Sequence, residues 1–394
     1  MRREYLPAFC RTYAQDIPDP SREGSLIQAI SSARRGQTDP PSPATLCWLL
    51  LLCAALLSSA CATQQPPLKP QQLQGILARQ VDQGFSGQVL VAQGDGVLLH
   101  ETAAGQADPK RLIYPLNSLS KPLMAALWLR QQSLGQADLE QSIRHWLDEL
   151  EPEFDEVLIR HLLAHASGLP AEIHHRGYSG NPLFEAIERD RLIQRVNRVG
   201  LSARPGARFI YSNVGYNLLA AALEQAHGVP WHQSLDRDLL APAGIKQGFR
   251  PALHWPNESL ARGSQAGDDR GHFGERPGLA DGSGWNLRGA GDLHASSEQL
   301  LTLWHALRQG QLLDQQEMQQ WLRPRHADGR LDHYALGWSI RQTRRGTRVH
   351  HSGQNGAFSN EWRWYPQQQL MIYVVSGNSD YLAPRLADAL VPDQ

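Results

Sequence analysis

Past residue 61 the chain has no cysteine; its four, Cys10, Cys47, Cys53 and Cys61, all precede the main body. Disulfides, cysteine-ligated zinc and a cysteine nucleophile are thereby excluded from the folded part, and any metal would have to be held by His, Asp or Glu. Charge of one sign is also lacking. The formal net charge is −1 over 394 residues, which gives no electrostatic case for nucleic acid. Lysine is scarce: only Lys69, Lys110, Lys121 and Lys246 stand among the 38 Lys+Arg residues. Composition bias accounts for the scarcity, but Lys121 sits three residues after a serine in an apolar stretch. There is no Gly-x-Ser-x-Gly, so a nucleophile elbow is not supported. There is no His-x-His-x-Asp and no internal repeat.

What is present begins with an address. The run Leu-Cys-Trp-Leu-Leu-Leu-Leu-Cys-Ala-Ala-Leu-Leu at 46–57 is apolar throughout. A spanning helix needs roughly 20 such residues, so this one reads as the apolar region of a signal peptide. Ser58-Ser59-Ala60-Cys61 follows and resembles a bacterial lipoprotein cleavage box, with Cys61 as the lipidated first residue. Arg34 and Arg35 lie upstream. The expectation is a signal segment over 1–61, a linker over 62–70 and one domain over 71–394. The location expected is the bacterial periplasm, held to the membrane through lipid at Cys61. Ala62 after the cysteine favours the outer membrane.

The body reads as α/β of the α+β type. A short amphipathic helix is expected over 71–83, then strands over 87–92 and 97–101 around the turn Gly94-Asp95-Gly96. From about 117 to 325 the pattern is mainly helical with long loops. A helix around 301–307 starts with a capping box, Ser296 to Gln299. Strands return over 334–342, 347–353, 359–365 and 370–376, with gaps short enough for antiparallel hairpins. A last helix is expected over 384–390. Both chain ends therefore build one antiparallel sheet flanked by terminal helices, with a helical lobe inserted over about 130–325.

Three short motifs carry chemistry. In Asn117-Ser118-Leu119-Ser120-Lys121-Pro122, Asn117 suits a helix N-cap, and Ser118 and Lys121 then share one face at i and i+3. A serine hydroxyl is a weak nucleophile and needs a base. A free lysine, with a pKa of about 10.4, is protonated, but burial and the positive end of a helix push it toward neutrality. The Ser118 amide points toward the helix start, where it could hold an oxyanion. Pro122 removes one amide donor, so local distortion is expected. Tyr211-Ser212-Asn213 follows a Pro205-Gly206 turn and precedes an apolar helix. His351-Ser352-Gly353 ends a strand and leads into Gln354-Asn355-Gly356.

Serine-x-x-lysine, tyrosine-x-asparagine and a late basic residue-x-glycine, in that order, resemble the class C β-lactamase, D,D-carboxypeptidase and esterase group of serine hydrolases. The likeness runs from about residue 85 to 378 and includes His161-Leu162-Leu163-Ala164-His165-Ala166-Ser167-Gly168-Leu169-Pro170, Gly289-Ala290-Gly291-Asp292-Leu293 and Ala335-Leu336-Gly337-Trp338. The resemblance implies that Ser118 is acylated and that Lys121 and Tyr211 share the base role, with the resting proton on either. It implies that Asn213 orients Lys121 and the substrate amide. His351 faces the substrate, the amides of Ser118 and Gln354 form the oxyanion hole, and Gly353 leaves room for substrate along the strand. No cofactor or metal is implied. The expected partner is a small-molecule or peptidoglycan-type substrate: a β-lactam, a D-alanyl peptide or a small ester. A non-catalytic ligand-binding protein on the same fold is the competing class, and an intact nucleophile–base set argues against it.

One position departs from the resemblance. Most β-lactamases of this group carry lysine where His351 stands. A histidine near pKa 6.5 could pair with a substrate carboxylate only when protonated. Carboxylate substrates should then bind less well as pH rises, which lowers the expectation of efficient lactam hydrolysis and leaves peptidase or esterase activity open. His161 and His165, four apart, lack the intervening glutamate of metalloproteases. They read as packing and capping residues, and the pairs His174-His175 and His350-His351 are weak as ligands. Trp338, Trp362 and Trp364 read as strand packing.

Overall fold

The computed structural model describes residues 68–103, 112–173, 185–246, 248–275, 284–325 and 334–392. All belong to the second of two units, Pro67–Gln394; the first, Met1–Pro66, lies outside the described residues. The expected signal segment, Cys61, residues 62–67 of the linker and His174-His175 therefore also lie outside them. Among the described residues no helix is long and apolar enough to cross a membrane.

Helix α1, Pro70–Asp82, begins with a proline whose fixed φ and missing amide suit a first helical position. Strands β1, Gly87–Gln93, and β2, Gly96–Ala103, form the first hairpin. The other end of the chain supplies β8, Ser339–Thr343, β9, Gly346–Gln354, β10, Ser359–Tyr365, and β11, Leu370–Ser376. The order β2-β1-β11-β10-β9-β8 is antiparallel throughout, so the two chain ends meet at β1 and β11, with Val89 opposite Val374.

Strand alternation divides the side chains between two cores. Val89, Val91, Ile372 and Val374 pack with Leu73 and Leu77 of α1 and with Leu386 and Leu390 of the last helix, Ala383–Leu390. Leu90, Met371, Tyr373 and Val375 point the other way, into the core of the inserted lobe. Both faces are covered, so all seven residues of β11 are buried. Each Val, Leu or Ile so buried contributes about 1.5–3 kcal/mol.

The lobe holds α2, Ser120–Ser133, α3, Ile159–Leu163, α4, Arg189–Val199, α5, Asn213–His227, α6, Trp231–Leu235, α7, Ser297–Arg308, and α8, Gln315–Leu322; the last helix is α9. The capping box of α7 is formed: the Gln299 amide donates to Ser296 Oγ at 3.2 Å, and the Ser296 amide to Gln299 Oε1 at 2.8 Å.

Two features differ from expectation. The lobe also contains a hairpin of β5, Arg262–Gln265, with β6, Asp268–His272, and three shorter strands, β3, Tyr114–Pro115, β4, Arg250–Pro251, and β7, Leu293–Ala295, which pair in the order β3-β7-β4. At two or three residues each, they are too short for an alternation pattern to reveal. Second, the strand expected from 334 begins only at Ser339. Gly337 turns the chain at φ +77°, and a side chain there would come within 2.9 Å of the Lys121 carbonyl and Pro122 Cα. That close approach to the start of α2 requires glycine. The tryptophans pack as expected: Trp338 meets Trp362 edge to face at 5.2 Å and Trp321 at 5.5 Å, and Trp364 is also buried.

Candidate active site

Ser118 does not open an α-helix capped by Asn117, as its sequence suggests. Asn117–Leu119 is a single 3-10 turn, and α2 follows from Ser120 without a side-chain cap. Asn117 stands at φ +52°, a left-handed conformation that asparagine tolerates better than most residues. Its side chain turns toward the sheet instead. Nδ2 donates to Asn360 Oδ1 at 2.5 Å, and Oδ1 accepts from Asn355 Nδ2 at 2.8 Å. Asn360 also donates to the Pro115 carbonyl at 2.9 Å. The turn under Ser118 is thus tied to the β9–β10 hairpin by three buried asparagines.

Around Ser118 Oγ the structure brings together two of the expected groups. Lys121 Nζ lies 3.0 Å away and Tyr211 OH lies 3.0 Å away. Lys121 is fully buried and donates to the Ala290 carbonyl at 2.7 Å. Its Nζ also sits 5.0 Å from the Tyr211 ring centroid and 5.5 Å from that of Tyr216. Desolvation lowers its pKa to about 7, against smaller opposing attraction from Glu172 and Asp292. Near neutral pH half of the amine is therefore unprotonated and able to take the serine proton.

Tyr211 is pushed the other way. Burial raises its phenol above the ordinary value, and the hydrogen bond to Ser118 opposes this only in part. Burial thus draws Lys121 toward its neutral form, while Tyr211 keeps its proton and donates it to Ser118 Oγ. Tyr211 is held by His165, whose ring lies 4.2 Å from its own and whose Nδ1 accepts the Ser212 amide at 3.1 Å. Ser212 caps α5, accepting from the Gly215 amide at 3.2 Å and donating to the Pro170 carbonyl at 2.6 Å. His161 caps α3 through Nδ1, which accepts the Leu158 amide at 3.3 Å. Among the described residues no three His, Asp or Glu side chains gather as a metal-binding group.

The remaining expected residues are placed differently. Asn213 Nδ2 donates to Glu172 Oε1 at 2.5 Å rather than to Lys121, and Asn213 Oδ1 has no partner among the described residues. Gly353 does not leave room for substrate where a side chain would stand. A Cβ there would meet Asn117 Cβ at 2.8 Å, the Leu116 carbonyl at 3.0 Å and the Ser118 amide nitrogen at 3.0 Å. The glycine lets β9 press against the nucleophile's turn. That contact sets the Ser118 amide beside the strand end, where exposed Gln354 follows.

His351 is buried, with both ring nitrogens engaged. Nδ1 donates to the Ser352 carbonyl at 2.7 Å, and Nε2 accepts from Tyr334 OH at 3.0 Å. Desolvation, then the nearby Lys121, lower its pKa to about 3. The expectation of a titrating cation for a substrate carboxylate is corrected: this imidazole is neutral throughout the usual assay range.

Sequence reasoning passed over Glu172, Asn355, Asn360, Tyr334 and the Ala290 carbonyl. Ala290 and Asn355 stood inside motifs already singled out, but their contacts depend on distant backbone. Glu172, two residues beyond the 161–170 segment, had no spacing signal.

A serine on a tight turn, a buried lysine on the following helix and a tyrosine from the lobe, all against an antiparallel sheet, define an active-site serine protein of the penicillin-binding and β-lactamase kind. The beta-lactamase family model matches residues 73–391, and the chain belongs to that family. It is 30% identical over 171 residues to penicillin-binding protein 4* of Bacillus subtilis, a match covering 41% of this chain and only 37% of that relative's length. It is 24% identical over 355 residues to the D-alanyl-D-alanine-carboxypeptidase/endopeptidase AmpH of Escherichia coli, covering 84% of this chain and 90% of that one. The solved D-amino acid amidase from Ochrobactrum anthropi, complexed with L-phenylalanine amide, has the same fold. Its TM-score is 0.66 at 21% identity, covering 82% of this chain and 97% of that chain.

Proposed function

We propose that this protein is a serine hydrolase that forms an acyl-enzyme on Ser118 and acts on small esters or amides, D-alanyl-type peptides included, better than on β-lactams. The observation that carries the reading is Ser118 Oγ at 3.0 Å from both a lysine with a pKa of about 7 and a protonated tyrosine. Neutral Lys121 takes the Ser118 proton as Oγ attacks the carbonyl. The amides of Ser118 and Gln354 receive the developing oxyanion. Tyr211 donates its proton to the leaving oxygen or nitrogen and is reprotonated from Lys121. Water then attacks the acyl-enzyme, with Lys121 again taking the proton and returning it to Ser118 Oγ as the acyl–Oγ bond breaks. The activities by which the relatives are named, carboxypeptidase and amidase, accord with this chemistry. A neutral His351 gives a β-lactam carboxylate no fixed charge to pair with, which lowers the expectation for lactams.

The test is a fluorophosphonate probe with p-nitrophenyl butyrate turnover. Wild type should be labelled on Ser118, and Ser118→Ala should lose both label and turnover while remaining folded. An unlabelled, inactive wild type would instead support a non-catalytic binding protein. The lipoprotein reading is a separate proposal that rests on residues 46–61. Cys61→Ser should release the protein from the membrane fraction; a mature protein that retains residue 1 would refute cleavage.

A further inference from the structure

The loop 289–293 holds the nucleophile's turn at three points. The Ala290 carbonyl accepts from Lys121 Nζ at 2.7 Å, the Leu293 amide donates to Ser120 Oγ at 3.3 Å, and the Leu293 carbonyl accepts the Leu116 amide at 2.8 Å. The one ionisable side chain of this loop, Asp292, is buried and takes no part in the mechanism above. Asp292 Oδ1 accepts the Gly289 amide at 2.9 Å and so closes the turn that carries Ala290. Oδ2 accepts from Trp231 Nε1 at 3.0 Å. Trp231 is bound in turn to α5. Its amide donates to Glu224 Oε1 at 3.1 Å, while Glu224 Oε2 accepts at 3.0 Å from Arg288, the residue before the turn. Asn217 of α5 donates to the Arg288 carbonyl at 2.8 Å. Burial pushes the Asp292 carboxyl up, so its position is a burden on the fold, and what the site gains is a pair of acceptors facing Gly289 and Trp231.

We propose that Asp292 is a positioning residue for the reaction: it closes the Gly289–Asp292 turn against Trp231 and thereby aims the Ala290 carbonyl at Lys121 Nζ. This rests on the serine hydrolase reading, in which Lys121 takes the Ser118 proton. With one N–H held by the carbonyl, the amine is directed at Ser118 Oγ, 3.0 Å away; without that bond the side chain is free to turn aside. A carbonyl also bonds an ammonium more strongly than an amine, so the same contact holds back loss of the Lys121 proton. The other groups facing Lys121 are Tyr211 and Tyr216, with ring centroids 5.0 and 5.5 Å away, His165 and His351, on which its charge acts, and Glu172. Asp292 itself faces Arg288 and Glu224. Loss of the aligned carbonyl and loss of any charge on Asp292 act on Lys121 in one direction, toward the neutral amine.

The experiment measures kcat/KM for p-nitrophenyl butyrate from about pH 5 to pH 9. The proteins are wild type, Asp292→Asn, Trp231→Phe, and Lys121→Met with and without Asp292→Asn. Asparagine keeps the volume of the side chain but cannot accept from both Gly289 and Trp231. In Asp292→Asn the plateau should fall about ten- to a hundredfold, the scale expected for misplacing a reacting group by up to about 1 Å. The midpoint of the acid limb should move below its wild-type position, pH about 7, by at least about 0.5. Trp231→Phe keeps the ring but removes the Nε1 donor, and should move the midpoint the same way by less. In the Lys121→Met background Asp292→Asn should change residual turnover by less than about twofold, because no amine is left to aim. A merely destabilised fold would lower the plateau in both backgrounds and leave the midpoint in place; that result overturns the proposal. Should Asp292→Asn not fold, Trp231→Phe decides, and an unmoved midpoint there overturns the proposal. A wild type that labels on Ser118 and hydrolyses the ester, with Asp292→Asn matching it, overturns this inference alone. A wild type that does neither overturns the hydrolase reading, and this inference with it.

Discussion

Replacing Lys121 by methionine should stabilise the protein while disabling it, and the stability gain should shrink as the pH is raised. Lys121 is fully buried, and its pKa falls from 10.5 to about 7 on folding. Between those values the unfolded chain binds more protons than the folded one, so this residue makes stability rise with pH. At pH 7 the burden is about 4 kcal/mol, and at pH 9 about 2 kcal/mol, at 1.36 kcal/mol per pKa unit. Methionine is unbranched and similar in length and carries no charge, so it removes the burden. It also leaves the Ala290 carbonyl without the bond from Nζ, a loss of about 1–3 kcal/mol that does not depend on pH. The absolute gain therefore mixes two effects, but its change with pH isolates one.

The assay is urea unfolding of both proteins at pH 7 and pH 9. The difference in unfolding free energy, Lys121→Met minus wild type, should be larger at pH 7 by about 2 kcal/mol. Ester kcat/KM should fall by about 10²–10⁴ through loss of the base. A stability difference that is the same at both pH values would mean Lys121 is protonated in the folded protein at pH 9. The assignment of Lys121 as base would then be wrong.

Four further outcomes follow from the same geometry. For a neutral ester, wild-type kcat/KM should rise through pH about 7 to a plateau that holds to pH 9, because Lys121 titrates there and Tyr211 is pushed upward. An N-succinyl ester should give the same shape between pH 5 and pH 9, because His351 is held near 3; a falling limb seen only with the carboxylate substrate would contradict this. Gly353→Ala puts a carbon 3.0 Å from the Ser118 amide nitrogen, so kcat should drop at least about tenfold and stability by about 1–3 kcal/mol in denaturant titrations. Asn117→Gly and Asn117→Ala both lose the bonds to Asn355 and Asn360, but glycine accepts φ +52°, so thermal or urea unfolding should show the alanine variant about 1 kcal/mol less stable; the reverse order would refute a strained turn.

The architecture was readable where one local rule acts alone. Alternating and continuous apolar stretches at 87–92 and 370–376 mark strands regardless of context, and the capping box at Ser296 depends on four consecutive residues. The pairing of serine and lysine at i and i+3 was readable for the same reason. Asn117 was misread because two rules compete there. Asparagine suits an N-cap and also a left-handed turn, and only Asn355 and Asn360, more than 200 residues away, decide between them. Tyr334 has strand composition, but Gly337 three residues later must bend against α2. Glu172 carries no local signal, since its importance lies entirely in facing Asn213 across a loop.

His351 shows why residue type alone does not assign charge at such a site. One desolvated pocket acts on three groups at once, and in each it favours the neutral form. It drives Lys121 down to about 7, raises Tyr211 and lowers His351 to about 3. The amine is drawn toward its neutral form, the phenol keeps its proton and the imidazole ceases to be a cation. A lysine at position 351 would meet the same burial, and would stand near a second lysine as well. The neutral pair Tyr334–His351 avoids that repulsion and closes the pocket beside Ser118 with hydrogen bonds alone.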